Sequence, residues 1–128
     1  MSDPNLPPRV QGFLKQHIDS IEKLEVLLLL RANPSRPWTA AAVAGELRIM
    51  ETSAQGRLDD LTGRGLLANE GGTPASFRYA PHAGEDAQAV TELAATYAQR
   101  RVSVITFIFS QPQDRLRSFA DAFRLRKD

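Results

Sequence analysis

Between residues 48 and 78 the chain concentrates side chains that make directed hydrogen bonds or meet negative charge: Thr52, Ser53 and Gln55, with Arg48 and Arg57 to either side and Arg64 and Arg78 beyond. Hydroxyls both donate and accept, a glutamine amide pairs bidentately with adenine, and guanidinium groups meet phosphate oxygens. Presented together on one helix and its neighbours, these types contact base edges and backbone of a nucleic acid. Glu51, Asp59, Asp60 and Glu70 stand among them and repel phosphate, so affinity for DNA is expected to be modest and strongly salt-dependent. Arg57 and Arg64 can equally pair with Asp59 or Asp60 at helical spacing, and both readings stand.

Other chemistry is thinly supplied. His82 with Glu85 and Asp86 imitates a metal site, but one histidine and two carboxylates read better as a solvated linker. His17 falls on an apolar stripe and reads as a satisfied or half-buried histidine, and Trp38 as a core or helix-staple residue. The chain has no cysteine, no phosphate-binding glycine loop and no nucleophile-elbow motif. Enzyme activity, a cofactor and a metal are therefore not expected.

Sixteen basic against fifteen acidic residues give a formal charge of +1, so any attraction to nucleic acid must be local. At 128 residues and 42% hydrophobic content, one domain with a real core plus an extension is expected. The apolar runs "LEVLLLL" and "VITFIFS" fall far short of a membrane span, so a cytoplasmic protein without a membrane role is expected.

The elements that must position these residues are legible from periodicity. Residues 1–8 are proline-rich and read as a flexible arm. Val10, Phe13, Leu14, His17 and Ile18 form one helical stripe; Asp19 or Ser20 can cap a second helix, "IEKLEVLLLLRA", that ends at Asn33 and Pro34. Thr39 suits the N-cap of "AAAVAGEL", "RIME" reads as a four-residue turn, and Thr52 with Gln55 reads as the capping box of "SAQGRLDDLTGRG". On a wheel of about 100° per residue, Ala54, Leu58, Leu61 and Gly65 face the core, while Ser53, Gly56, Asp60 and Gly63 face outward with Arg57 and Asp59 on the flanks. "LLANE" and "SFRYA" then have strand character around a Gly-Gly-Thr-Pro turn. Val90, Leu93, Tyr97, Val104 and Phe107 recur at near-heptad spacing on a helix of about 20 residues, with a strand over "VSVITFIF" as the rival reading. Ser110 and Pro112 open a last helix whose stripe is Leu116, Phe119, Ala120 and Phe123, surrounded by Arg115, Arg117, Arg124, Arg126 and Lys127.

Helix, helix, turn, helix and a two-stranded wing over residues 20–81, with the "W-T-x-x-x-V-A-x-x-L" second helix and Leu58, Leu61, Gly65, Leu66 and Leu67 at the passage into the wing, resembles the winged helix-turn-helix superfamily, in particular bacterial regulators of the MarR-like and PadR-like kind. The resemblance implies a mainly α fold with a small β-hairpin wing: a flexible arm over 1–8, a winged helix-turn-helix domain over 9–81, and a helical extension over 82–128 for dimerisation. It implies a transcriptional regulator that binds double-stranded DNA as a homodimer, with Arg48, Thr52, Ser53, Gln55, Arg57, Arg64 and Arg78 on DNA and Val90, Leu93, Tyr97, Val104 and Phe107 in the dimer seam. Its two reading helices would meet a palindromic site about 34 Å apart. The near-neutral charge and the acidic reading helix support a second reading, an adaptor whose reading helix or C-terminal amphipathic helix binds protein.

Overall fold

The protein chain, as a computed structural model, is described over residues 6–111. Its first helix, α1 (Pro8–His17), places proline in the first turn, where its missing N–H costs nothing, and buries Val10, Phe13, Leu14 and His17. Leu6, in the proline-rich stretch expected to be loose, is 2% exposed, and Gln11 Nε2 donates to its carbonyl at 2.8 Å. The apolar side chain therefore anchors the last part of that stretch. Helix α2 (Ile21–Ala32) is capped by Ser20, whose hydroxyl accepts from Lys23 N, and Asp19 instead takes the Lys23 ammonium at 3.0 Å.

A two-residue strand, β1 (Trp38–Thr39), leads into α3 (Ala40–Leu47), and Thr39 caps α3 by accepting from Ala42 N. After a turn comes α4 (Glu51–Gly63), then β2 (Leu67–Gly71), β3 (Ser76–Tyr79), α5 (Gly84–Gln99) and α6 (Arg101–Phe109). The sheet is antiparallel with order β1-β3-β2, so Phe77 of β3 sits between Trp38 and Asn69. Strand β1 was not readable from sequence, since two residues carry no period and owe their extended form to pairing with β3. Gly71 and Gly72, at φ +82° and +98°, allow the reversal between β2 and β3 without side-chain strain.

The expected single helix over the near-heptad residues is two helices. Arg100, at φ −134° and ψ 53°, separates α5 from α6 and turns Val104, Phe107 and Ile108 onto α1 and α5. "VSVITFIF" is thereby helical, not a strand. Val90, Leu93 and Val104 are 0% exposed and Phe107 4%, which closes the expected intersubunit seam inside one chain against α1; Tyr97 is half-buried. A seam between subunits needs exposed apolar groups, and on α6 those are Val102 and Phe109. The expected last helix, with Leu116, Phe119, Ala120, Phe123 and its basic residues, lies outside the described residues. No helix among the described residues is long and apolar enough to cross a membrane.

Candidate nucleic-acid interface

Helices α3 and α4 are joined by Arg48, Ile49 and Met50. Arg48 adopts the left-handed conformation at φ 59° and ψ 49°, which swings α4 across α3 and is costly for a residue with a Cβ. Helix α4 begins at Glu51, one residue before Thr52. Thr52 therefore lies exposed inside the first turn instead of capping it, and Met50 at the cap position offers no side-chain acceptor. The inner face is as the wheel predicts: Ala54, Leu58 and Leu61 are fully buried. The outer face is displaced from the expected one. Thr52, Gly56, Asp59 and Gly63 are exposed, whereas Ser53 and Asp60 are half-buried. The displacement arises because α4 lies against α2 along the side that carries Asp60.

Asp60 receives two cations there. Its Oδ2 accepts from Lys23 Nζ at 2.6 Å and from Arg64 Nε at 2.8 Å, and the Lys23 side chain is 4% exposed. Burial pushes the Asp60 carboxyl up, but the hydrogen bonds from Lys23 and Arg64 outweigh it and hold the group below its ordinary range. Arg64 also donates to the Gln16 carbonyl of α1 at 2.7 Å. Arg57 Nε donates to Glu22 of α2 at 2.9 Å, and Arg78 to Glu70 at 3.2 Å and to the Pro34 carbonyl at 3.0 Å. Gln55 Nε2 donates to Asp59 at 3.0 Å. Thus Arg57, Arg64 and Arg78 sit beside α4 and the hairpin as expected, each already held by a carboxylate. Arg48, exposed at the N-terminal corner of α4, has no ion-pair partner among the described residues. Lys23, which ties α2 to α4, escaped the sequence reading: its spacing to Asp19 was visible, its approach to Asp60 was not.

Neither a protein-family model nor a curated protein sequence matches the chain. Solved structures do. The chain is similar to MepR, a transcription regulator of the Staphylococcus aureus multidrug efflux pump MepA, at 11% identity and a TM-score of 0.55 over 94% of this chain and 88% of that one. A mutant of S. aureus MepR bound to an oligodeoxyribonucleotide matches with the same coverage at 10% identity and a TM-score of 0.55. The multiple antibiotic-resistance repressor MarR from Listeria monocytogenes matches at 13% identity and a TM-score of 0.51 over 94% and 82% of the two chains. The chain has the winged-helix fold. In that fold α3 and α4 are the two helices of the helix-turn-helix and the β2–β3 hairpin is the wing. The tip of this wing, Glu70 to Pro74, is exposed and carries one carboxylate and no cation.

Away from α4, the winged-helix core holds Trp38 and His17. Trp38 is 2% exposed with the Arg36 guanidinium 3.9 Å above its ring, a core role. His17 is 8% exposed, 4.0 Å from Asp86 and against the Phe13 ring. Burial lowers its pKa, against the pull of Asp86, so the folded chain binds this proton less readily than the unfolded chain does. The stabilising contribution is full above the ordinary histidine value of 6.5 and is lost as pH falls from there through the lowered folded value. Denaturation midpoints should therefore fall between neutral and mildly acidic pH, and His17→Leu should flatten that decline; an equal decline in both proteins would remove His17 as its source. Among the described residues no group of three or more His, Cys, Asp or Glu is placed to hold a metal ion.

Proposed function

We propose that this protein is a DNA-binding transcriptional regulator that acts as a homodimer, with α4 as its reading helix. The observation that supports the reading best is the corner formed by Arg48 and the first turn of α4. Arg48, in a strained left-handed conformation and with no ion-pair partner among the described residues, stands just before a helix N-terminus that lacks a side-chain cap. Strain in an exposed residue is retained where the side chain's placement matters, and the open N–H groups and helix dipole favour a phosphate at the same corner. MepR is a transcription regulator and the Listeria monocytogenes MarR a repressor, which accords with this reading. Thr52, Ser53 and Gln55 follow within the first turn and a half of the helix, where base edges are read in such folds. The dimer would form through the exposed apolar face of α6, Val102 and Phe109, and sedimentation of the full chain as a dimer is the expected result.

A gel shift of a mixed-sequence duplex by wild type and by Arg48→Gly tests the reading. Glycine relieves the left-handed strain, so stability should hold or rise by up to about 1 kcal/mol. Affinity should nevertheless fall, by roughly three- to tenfold at low salt, as one phosphate contact per subunit goes. Equal shifts by both proteins would remove the Arg48 corner from the interface.

The alternative, an adaptor binding protein through the same helix, draws on the ion pairs that hold Arg57, Arg64 and Arg78 and on Met50, which is 73% exposed beside α4. A folded protein that shifts no DNA at low salt favours that reading.

A further inference from the structure

We propose that the centre of α4 reads the exocyclic amine of cytosine in the major groove through Asp59, with Gln55 as its positioning residue; this rests on the DNA-binding reading above. The exposed stripe Thr52, Gly56, Asp59 and Gly63 has open space where a Cβ would stand on either glycine. The helix backbone can therefore come close to a groove floor, and the side chains that project from the middle of the helix are those of Asp59 and Gln55. The chemistry of this pair is fixed by the hydrogen bond between them. A carboxylate only accepts, so the group Gln55 turns towards Asp59 Oδ1, 3.0 Å away, must be its NH₂. Gln55 keeps its Oε1 and its second N–H, whereas Asp59 Oδ2 can only accept.

Donors that would read guanine are withdrawn from this face. Arg57 is turned to Glu22 at 2.9 Å, and Arg64 to Asp60 at 2.8 Å and the Gln16 carbonyl at 2.7 Å. The Asp59 carboxylate, an acceptor only, is repelled by guanine O6 and N7 and by thymine O4, and it meets a donor only at cytosine N4 or adenine N6. Adenine places its N7 acceptor beside that amine, whereas the major-groove edge of cytosine carries the amine with no acceptor next to it. A carboxylate, which has no donor to offer an adjacent acceptor, therefore fits cytosine best. The carboxylate that weakens phosphate binding is, in this position, the source of base preference.

Selection from a randomised duplex library by the full-length protein, with a mixed duplex at low salt as the control, tests the proposal. Wild type should enrich duplexes with cytosine at one position of each half-site, preferred by about tenfold over the other bases. Remaking the selected duplex with N4-methylcytosine there should weaken wild-type binding by a similar factor, because the methyl group occupies the direction of the amine's free N–H. Asp59→Ala should bind the mixed duplex more tightly, by roughly threefold, as a negative charge leaves the interface, and should be indifferent to the methyl group. If wild type binds the mixed duplex but Asp59→Ala enriches the same sequences, or if wild type selects guanine at that position, the assignment to Asp59 is overturned and DNA binding stands. If wild type binds no duplex at low salt, both fall.

Discussion

Phe77→Ala is expected to lower the stability of the fold by about 3–4 kcal/mol, roughly 12–15 °C in melting temperature for a chain of this size. Phe77 is 1% exposed and lies in the central strand β3, paired with Trp38 on one side and Asn69 on the other. Strand β3 also packs on α2, so this ring joins the wing to the helical core. Truncation leaves a cavity that the paired strands cannot close, because moving β3 inward would break its ladder on both sides. Thermal unfolding followed by circular dichroism reads the effect. A loss below about 1 kcal/mol, the ordinary cost of a surface substitution or less, would mean that the hairpin is not seated on the core.

Asp60→Ala is expected to cost about 2–3 kcal/mol. Removing one partner of a fully buried ion pair costs about 3–5 kcal/mol, since the other charge stays buried without compensation. The figure here is lower because the Asp60 side chain is 39% exposed and Asp19 still reaches Lys23 at 3.0 Å. The double variant Lys23→Met, Asp60→Ala should be more stable than Asp60→Ala alone, because it removes the orphaned ammonium together with its partner. Acid should mimic the single variant. With its folded pKa below 3.8, Asp60 contributes its full stabilisation above that value and loses it as pH falls further, when the unfolded chain takes up the proton first. An Asp60 that merely faced solvent on α4 would leave stability unchanged on substitution, and urea denaturation of the wild type and the two variants separates the two cases.

The sequence carried the local half of this architecture. Caps at Ser20 and Thr39, the inner stripe Ala54, Leu58 and Leu61, and the Gly71–Gly72 reversal are each determined within a few residues, so period and residue type reveal them. What stayed hidden depends on distant partners. Lys23 meets Asp60 across thirty-seven positions, and Arg57 meets Glu22 across thirty-five. These pairs draw Asp60 and Arg57 towards α2, and the outer face of α4 is displaced by a residue from the expected one. The break at Arg100 has no proline or glycine to announce it and follows from α6 folding back on α1. The start of α4 was placed two residues late because Thr52 resembles a cap, while the turn is set by Arg48 in the left-handed region.

If α4 meets DNA as proposed, it does so with few free cations, and the salt dependence of binding measures this most directly. Fluorescence anisotropy of a mixed-sequence duplex, titrated with the full chain over a series of salt concentrations, gives the slope of log affinity against log salt. Each phosphate contact contributes about −0.9 to that slope, so Arg48 and the α4 N-terminus in two subunits predict a value on the order of −2 to −4. A folded protein with no measurable affinity at the lowest salt would contradict the account.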